Sequence, residues 1–461
     1  MDLRTFLAWA RAEAGLVTIG RPVDPHLEMA RVMHALEGRP LLFTDPVRPG
    51  WRVAAGVCAD RRHFAWALGL DDVAGIVPRL IQALEHPAPP APLAEAPCQE
   101  VVVQRPDLDA LPLLKHLPGD GGPYVTAGVA IVRDPDHGPN ASFHRLMQIG
   151  PRQFTARIVE GRGTHTAWRK AAEAGRDLPV AICLGAPIHV LLAAALSPAQ
   201  GVDELSIAAA LAPTPTARCL ASDLEVPALC EAVLEGRITQ RLADEGPFID
   251  LTETWDVVRQ QPVVEIDLLT HRRDPIYHAL LPGGLEHKLL MGLPREPTIF
   301  QAVSQVADCR AVSITPGGMS WLHAVVQIHK RAPEDGRRAI EAAFRGHGSL
   351  KHVVVVDEDV DPFDPTQVEW AIATRFQAAR DLLVMEDQPS SSLDPSAHLV
   401  PGQKARASKM GLDATVPWTD FEGHARTPAE RQEFSKVRYE PVDVARYLAP
   451  PEPGPEGAVD G

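Results

Sequence analysis

Apolar residues change their spacing along this chain, and the changes divide it into regions. Roughly the first 85 residues combine helical spacing with short apolar runs, which predicts a small α/β unit that begins with an amphipathic helix. From about residue 100 the spacing predicts frequent strands with helices between them. The predicted strands cover residues 99–104, 125–133, 153–159, 180–184 and 263–270, and a predicted helix covers 167–174.

Residues from about 300 to 430 alternate strand and helix patterns more regularly. The run Val353–Val356 is apolar without interruption, as in a strand buried on both faces. An acidic turn follows it, and helical spacing returns over residues 368–374. This order predicts an α/β domain, so the fold class expected for the whole chain is multidomain α+β and α/β.

Proline marks two boundaries. Residues 86–97 are rich in proline, which predicts a stiff connector between domains. Residues 450–461 combine proline and glycine with few apolar residues, which predicts a disordered tail. We therefore place domains at residues 1–98, 99–298 and 299–430, followed by a terminal segment at 431–461.

Composition limits the function more than it limits the fold. The formal net charge of −15 argues against a nucleic-acid surface, which needs clustered lysine and arginine. No apolar run reaches the ~18–20 residues of a membrane span. The six cysteines form no C-x-x-C pair, as expected for free thiols in the cytoplasm. The chain also lacks the motifs of Rossmann nicotinamide enzymes, P-loop ATPases, G-x-S-x-G hydrolases and H-E-x-x-H metalloproteases.

Three polar segments are candidates for chemistry. The first, residues 140–145 (Asn-Ala-Ser-Phe-His-Arg), follows a turn-rich stretch. On a strand, Asn140, Ser142 and His144 would share one face and Arg145 would lie on the other. A bulge or twist is therefore needed to bring Asn140 and Arg145 to one site. A solvated hairpin is the alternative interpretation.

The other two segments present carboxylates. Glu204 ends a Gly-Val-Asp-Glu turn before a small-residue helix over residues 205–211, where the helix dipole alone would also stabilise an acid. Residues 244–250 hold Glu245 and Asp250 on either side of a Gly-Pro turn. Such a turn can keep two carboxylates in unequal environments for acid–base chemistry. An acidic surface loop would show the same residues.

In this order the segments resemble the UbiD family of prenylated-FMN-dependent decarboxylases: N-x(4)-R, then G-V-x-E, then E-G-P-F-x-[ED]. Ser408–Thr415 is similar to a C-terminal signature of that family, and residues 271–277 and 356–364 look like further landmarks. The resemblance covers about residues 100 to 430, and the fixed order makes it specific. It implies a reversible, non-oxidative decarboxylase of an aromatic, heteroaromatic or α,β-unsaturated acid, with a covalent substrate–cofactor adduct.

The resemblance also implies a cofactor site. Family members bind prenylated FMN, which a separate flavin prenyltransferase supplies, with Mn2+ (or Mg2+) and K+ at the flavin phosphate. Asn140 and Glu204 match two metal ligands, and His165 is the candidate for the third, with His144 as its rival. Oxygen ligands of this kind suit hard cations. The residues implied at the cofactor are Asn140, Ser142, Phe143, His144, Arg145, His165, Glu204 and Lys409.

Three residues match the family's catalytic positions. By this resemblance Arg145 would hold the substrate carboxylate in its planar fork, Glu245 would partner Arg145, and Asp250 would deliver a proton. Ile249 stands where many members have glycine, so Glu253 is the alternative proton donor if the loop is shifted. The residues implied for a substrate wall are Leu285, His287 and Ile249.

The implied architecture is an N-terminal α/β domain, a split β-barrel that binds the flavin over residues 99–298, and a C-terminal α/β domain with a terminal helix. The family resemblance implies a homodimer or homohexamer in the cytoplasm, with an arm over residues 430–448. Two other functions remain open. One is an oxidoreductase-like protein that uses unmodified FMN on the same barrel, and the other is a non-catalytic binding protein that keeps the fold.

Overall fold

A computed structural model describes residues 1–47, 50–400, 403–437 and 439–448. The chain separates into two compact units, Met1–Thr415 and the segment from Val416 onward. The tail predicted over residues 450–461 lies outside the described residues. Within the described ranges, no helix combines the length and the apolar character needed to cross a lipid bilayer.

The chain begins with helices packed on a small sheet. The Asp2 carboxylate caps the first helix by accepting a hydrogen bond from Thr5 N at 2.8 Å, and that helix buries Leu3, Phe6 and Leu7. The elements of this region are α1 (Leu3–Glu13), β1 (Val17–Ile19), α2 (Glu28–Ala35), β2 (Leu41–Phe43), β3 (Arg52–Ala55), α3 (Arg61–Ala67), α4 (Ile76–Glu85) and β4 (Ala91–Pro92).

The central region is built mainly of antiparallel strands, with three helices between them. Its elements are β5 (Val101–Gln104), β6 (Tyr124–Val125), β7 (Val129–Asp134), β8 (Gly138–Phe143), β9 (Leu146–Gly150), β10 (Gln153–Ala156), α5 (Gly163–Glu173), β11 (Leu178–Leu184), α6 (Ile188–Ala195), α7 (Glu204–Leu211), β12 (Pro215–Arg218), β13 (Glu225–Pro227), β14 (Ala232–Glu245), β15 (Phe248–Ile249), β16 (Trp255–Asp256), β17 (Arg259–His271) and β18 (Ile276–His278).

Nine of these strands form one curled sheet. They pair in the order β6-β9-β10-β17-β14-β11-β7-β8, and β5 pairs with β17. β8 and β9 lie near opposite ends of this path, yet only His144 and Arg145 separate them in the chain. The sheet must therefore curl until its ends approach each other. Among the described residues no strand pairing closes the ring, so the sheet is an open barrel, in line with the split barrel that we expected.

The C-terminal region is an α/β layer. Its elements are α8 (Leu285–Gly292), α9 (Glu296–Ser304), β19 (Asp308–Ile314), β20 (His323–His329), α10 (Asp335–Gly346), β21 (His352–Asp357), α11 (Pro365–Arg375), α12 (Ala378–Asp381), β22 (Leu382–Pro389) and β23 (Arg406–Asp413). The strand order is β19-β20-β21-β23-β22, and β21 pairs with β20 and β23 in parallel. The predicted buried strand over Val353–Val356 is confirmed as the centre of β21.

Two sequence predictions are corrected by the structure. The single strand predicted over residues 125–133 is broken between β6 and β7, because these strands belong to different ends of the curled sheet. The second unit contains α13 (Pro428–Gln432) and a 3-10 turn at Val444–Arg446. The arm expected over residues 430–448 is therefore helical only at those places within the part of it that the structure describes.

Candidate active site

Arg145 lies in the short connection between β8 and β9, and its guanidinium meets the end of β14. Its Nε and Nη2 atoms donate to the two carboxylate oxygens of Glu245 at 2.8 and 2.9 Å. The Arg145 side chain is 13% exposed, and its Cζ lies 5.1 Å from the centre of the Phe248 ring. Burial opposes the charge, but hydrogen bonds to Glu245 raise the pKa of Arg145 above its usual value. The guanidinium is therefore a fixed cation.

Glu245 is fully buried at the last residue of β14. Tyr124 donates its hydroxyl to Glu245 Oε1 at 3.3 Å. Burial and the neighbouring Glu245 charge raise the pKa of Tyr124, so its hydroxyl remains protonated. Since both Glu245 oxygens already bind Arg145, Glu245 orients the guanidinium. The structure thus brings together the pair that the sequence implied, and it adds Tyr124.

A small hairpin carries the second acid. Phe248 in β15 pairs with Asp256 in β16, and Asp250 begins the turn between these strands. Asp250 Oδ2 lies 3.4 Å from Arg145 Nη1, whereas Asp256 Oδ2 accepts from Arg145 Nη2 at 2.7 Å. Burial opposes ionisation of Asp256, but hydrogen bonds from Arg259 and Arg145 lower its pKa. One guanidinium therefore contacts three carboxylates, and the contact with Asp250 is the longest.

Glu253, the alternative proton donor, lies on the outer side of the same hairpin. Its side chain is 52% exposed and forms an ion pair with Lys288 Nζ. The Asp250 side chain is only 22% exposed and faces Arg145. Of the two acids, Asp250 is therefore the one placed against the guanidinium.

A second polar group joins β8 to the start of α7. Asn140 Nδ2 donates to Glu204 Oε1 at 3.0 Å, and Ala141 N donates to Glu204 Oε2 at 2.8 Å. Burial raises the pKa of Glu204 to about 7, and only backbone and amide hydrogen bonds offset this effect within the described residues. A buried carboxylate without a positive partner is unfavourable, so a cation fits beside Glu204.

His144 and Thr164 connect this group to α5. His144 Nδ1 donates to the Arg157 carbonyl oxygen at 3.0 Å, which leaves Nε2 as an acceptor. That Nε2 lies 2.9 Å from Thr164 Oγ1 and 3.2 Å from Ser142 Oγ. Thr164 Oγ1 also lies 3.2 Å from Asn140 Oδ1, so its single proton can be donated either to Asn140 or to His144. Burial lowers the pKa of His144 to about 4, so its imidazole is neutral near pH 7.

His165 lies within the first turn of α5. Its Nδ1 accepts a hydrogen bond from Gly161 N at 3.3 Å. In the described part of the chain it makes no hydrogen bond to Asn140 or Glu204. The start of α5 nevertheless packs on Asn140, since a Cβ atom on Gly163 would lie 2.8 Å from Asn140 Oδ1.

The donor set at this place fits a hard divalent cation. Asn140 offers an amide oxygen and Glu204 a carboxylate, and these ligands suit Mn2+ or Mg2+. His144 and His165 are the two histidines near this group that could supply a third ligand to such a cation. His144 is already hydrogen bonded to the group through Thr164, whereas His165 follows Thr164 directly in α5.

The remaining residues implied at the cofactor lie on different domains. Phe143 ends β8 and packs against the apolar core that contains α6. Lys409 lies on β23, and its Nζ donates to the Gly348 carbonyl oxygen at 2.8 Å. Burial and the nearby Lys404 charge lower the pKa of Lys409 to about 8. Among the described residues the structure records no contact between Lys409 and the Asn140 group.

His287 is the member of the expected substrate wall that lies beside the acids. Its Nδ1 accepts from Gly283 N at 3.1 Å, which leaves Nε2–H as a donor when the ring is neutral. Burial lowers the pKa of His287, while Asp250 and Arg145 act on it with opposite signs. The Gly283 backbone that binds His287 packs on the hairpin, since a Cβ atom on Gly283 would lie 3.4 Å from the Asp250 carbonyl oxygen.

The other two residues of the expected wall have different surroundings. Ile249 pairs with Trp255 within the hairpin. Leu285 packs against the apolar core shared with the N-terminal region, and its backbone N donates to Glu37 Oε1 at 2.6 Å. Leu285 therefore contacts the N-terminal region, whereas His287 lies beside the acids.

The tip of the hairpin borders a cleft of about 500 Å³. Thr252 lies at that tip, two residues beyond Asp250. All the other lining residues belong to the C-terminal region, so the cleft lies between the hairpin tip and the α/β layer. The lining residues are Thr252, Thr315, Gly317, Gly318, Met319, Leu322, His323, Lys351, His352, Asp394, Pro395 and Ser396.

Sequence reasoning did not single out Tyr124, Thr164 or Asp256. The site position of each depends on contacts between elements that are distant in the sequence. Tyr124 is placed by the pairing of β6, and Thr164 by the packing of α5 on β8. Asp256 is placed by its register with Phe248. The sequence does show that Asp256 follows the Gly-Pro turn, but other acids also follow that turn, so this position alone does not single out Asp256.

Three family profiles match the chain in order. They are the UbiD N-terminal domain over residues 7–84, the UbiD Rift-related domain over residues 91–285, and the UbiD C-terminal domain over residues 288–414. All three are described as domains of 3-octaprenyl-4-hydroxybenzoate carboxy-lyase.

Relatives of known name cover nearly the whole chain. The anhydromevalonate phosphate decarboxylase of Methanosarcina mazei is 41% identical over 433 residues, which span 92% of this chain and 99% of the relative. The enzyme of the same name from Methanothermobacter thermautotrophicus is 44% identical over 379 residues, which span 81% of this chain and 88% of the relative.

Solved structures agree with the sequence relatives. The UbiD-class enzyme HmfF from Pelotomaculum thermopropionicum, in complex with FMN, superposes with a TM-score of 0.90 at 37% identity, over 97% of this chain and 100% of that one. An evolved dimeric form of HmfF in complex with prenylated FMN gives a TM-score of 0.84 at 36% identity, with the same coverage of both chains. With three matched domains and these relatives, the chain belongs to the UbiD family and is a decarboxylase of the carboxy-lyase class.

Proposed function

We propose that this chain decarboxylates anhydromevalonate phosphate, or a closely similar α,β-unsaturated acid that carries a phosphate monoester, with prenylated FMN as its cofactor. The observation that carries the proposal is Arg145 held between Glu245, Asp250 and Asp256, beside a hairpin whose tip lines a cleft. The relatives named for this substrate extend over nearly the whole chain and support the choice. Dehydration of a 3-hydroxy acid gives a conjugated acid, which suits this family's chemistry.

Arg145 would bind the substrate carboxylate through Nη1. Its Nε and Nη2 atoms are engaged by Glu245 and Asp256, whereas Nη1 has only the 3.4 Å contact with Asp250. A carboxylate that pairs with Nη1 would compete with Asp250 for the same edge of the guanidinium. Because Glu245 and Asp256 hold the guanidinium in place, a carboxylate on Nη1 would have a fixed position when CO2 leaves.

Charge balance makes Asp250 the proton donor. Arg145 and Arg259 face three carboxylates, so the group already carries a net charge of about −1 when all are ionised. A substrate carboxylate adds another negative charge, and protonation of one acid relieves the repulsion. Asp250 has the weakest hold on the guanidinium and the greatest exposure of the three, so it would take that proton and later give it to the product carbon.

The second polar group would hold the flavin phosphate through a cation. Asn140 and Glu204 supply oxygen ligands, and His144 or His165 supplies nitrogen. Lys409 and the β8 residues Ser142 and Phe143 complete the proposed cofactor contacts. When bound, the prenylated flavin would supply the electron sink for decarboxylation, while the protein orients the acid and moves one proton.

The experiment is a substrate comparison with purified protein that has been co-expressed with a flavin prenyltransferase. We expect CO2 release from anhydromevalonate phosphate and little from 4-hydroxybenzoate or furan-2-carboxylate. Protein made without the prenyltransferase is the control, and it should be inactive because unmodified FMN lacks the electron sink. Turnover of the aromatic acids alone would refute the proposed substrate, and full activity with unmodified FMN would refute the proposed cofactor.

A further inference from the structure

A short loop closed by one buried acid packs against the hairpin that carries Asp250. The side chain of Asp120 has no exposed surface, and its Oδ2 accepts hydrogen bonds from His116 N at 2.9 Å and Leu117 N at 2.8 Å. Asp120 N donates in return to the Leu117 carbonyl oxygen at 3.1 Å. A single side chain therefore holds this loop together, and we call residues 116–122 the Asp120 loop.

The Asp120 loop contacts the hairpin through backbone atoms of its glycines. Gly121 N donates to the Pro247 carbonyl oxygen at 2.9 Å, and a Cβ atom on Gly121 would collide with the Gly246 carbonyl oxygen. A Cβ atom on Gly119 would lie 2.8 Å from the ring of Trp255 in β16. The loop therefore touches the segment before β15 and the strand that pairs with β15, so the position of the hairpin depends on the shape of the loop.

His116 extends this packing to the ring beside Arg145. The centres of the His116 and Phe248 rings lie 6.0 Å apart, with their planes at 84°. The Phe248 ring centre lies 4.1 Å from that of Tyr124 and 5.1 Å from Arg145 Cζ. Burial lowers the pKa of His116 to about 3, so it packs as a neutral ring. Phe248 therefore contacts both the Asp120 loop and the guanidinium.

The buried carboxylate of Asp120 is unfavourable for stability. Its Oδ1 has no hydrogen-bond partner among the described residues, and burial raises the pKa of Asp120. An apolar residue would avoid this cost, but it could not accept the two backbone hydrogen bonds that close the loop. Proteins keep local costs of this kind mainly where function requires a fixed geometry.

We propose that Asp120 is a positioning residue: by closing its loop it holds the β15–β16 hairpin, and with it Asp250, in place against Arg145. Glu245 does not need this support, because as the last residue of β14 it pairs with Arg259 in β17. Loss of the Asp120 side chain should displace the hairpin acids while Arg145 and Glu245 stay together. Substrate binding would then be kept and proton delivery impaired, an effect that rests on the role we propose for Asp250.

The test compares Asp120→Ala with Asp120→Asn in flavin-loaded protein, with turnover counted per bound flavin. The alanine variant should lower kcat about 10- to 100-fold and change KM less than about threefold, because a small displacement of a catalytic group suffices for such a loss. The asparagine variant should stay within about threefold of the wild type, since its amide oxygen can accept both backbone hydrogen bonds. Asp109→Ala is the matched control, because Asp109 is an exposed acid that accepts from Gln148 Nε2 at 2.7 Å. It should change neither kcat nor KM.

Hydrogen exchange measures the hairpin independently of turnover. Amides of residues 246–258 should exchange at least about threefold faster in Asp120→Ala than in Asp120→Asn, whereas Asp109→Ala should match the wild type. If the alanine variant does not fold, Asp120→Ser replaces it, because the hydroxyl keeps one short acceptor. Unchanged exchange, or a kcat per flavin within about threefold of the wild type, would overturn the proposal.

Equal losses of kcat in the alanine and asparagine variants would also overturn it, because they would assign the role to the charge of Asp120 and not to loop closure. A wild type that decarboxylates no tested acid would instead refute the proposed function. Hydrogen exchange of the hairpin would still decide whether Asp120 positions it.

Discussion

Asp250 and Glu253 can be separated as proton donors by two isosteric variants. Asp250→Asn keeps the size of the side chain and keeps Oδ1 as the acceptor for Leu251 N, which lies at 2.6 Å. It removes the proton that we assign to the product carbon, and it leaves Arg145 bound by Glu245 and Asp256. Glu253→Gln removes instead the exposed partner of Lys288. The two changes are chemically matched and lie three residues apart.

The structure sets the size of both effects. The contact of Asp250 with Arg145 is long and partly exposed, so its loss should lower the free energy of unfolding by less than about 1 kcal/mol. Loss of a general acid should lower kcat by about 10²- to 10⁴-fold, or roughly 3–5 kcal/mol of activation free energy. Glu253→Gln should change kcat by less than about threefold, since an exposed ion pair contributes little.

The assay is CO2 release by the flavin-loaded proteins, with flavin absorbance and melting temperature measured in parallel. Deuterium incorporation at the product carbon reports the protonation step separately from CO2 loss. We expect Asp250→Asn to retain flavin and fold while it loses turnover. If Glu253→Gln abolishes turnover and Asp250→Asn does not, the charge-balance argument for Asp250 is refuted.

Two further predictions concern the group around Asn140 and Glu204, where we propose that a cation and the flavin phosphate bind. A carboxylate must be deprotonated to bind a metal, and burial raises the pKa of Glu204 to about 7. Mn2+ affinity should therefore fall about tenfold per pH unit below 7 and level off above it. Calorimetry at constant ionic strength checks this, and an affinity that does not change from pH 5.5 to 7.5 would contradict it. Gly163→Ala should weaken Mn2+ binding and flavin retention, because its Cβ would lie 2.8 Å from Asn140 Oδ1. Glu173→Ala at the exposed end of the same helix is its control, and equal flavin content in both variants would count against the packing argument.

Most of the architecture was predictable from spacing, and the exceptions have a physical cause. The strand over 180–184 was predicted because its residues are all apolar, and the helix over 368–374 because its apolar residues follow helical spacing. The break between β6 and β7 was not, because apolar spacing does not report which strands pair. Strand pairing also determines the surroundings of Tyr124 and Asp256.

The candidate site shows the same division. Arg145, Glu245, Asp250, Asn140 and Glu204 could be named because short motifs carry them in a fixed order. The contacts of Tyr124 and Thr164 could not, because they form only when β6 and α5 pack on the rest of the sheet in the folded chain.

The junction between β8 and β9 has a consequence for how substrate preference can change. His144 contacts Thr164 in the group proposed to hold the cofactor, Arg145 contacts Glu245 in the group proposed to hold the substrate, and a single peptide bond joins the two residues. An inserted residue there would displace His144 and Arg145 together, so insertions at this junction should be poorly tolerated. The hairpin tip at Thr252 and the facing wall of the cleft do not share that constraint. We therefore expect substitutions at the hairpin tip and the facing lining of the cleft to change which acid is bound, while His144 and Arg145 stay the same.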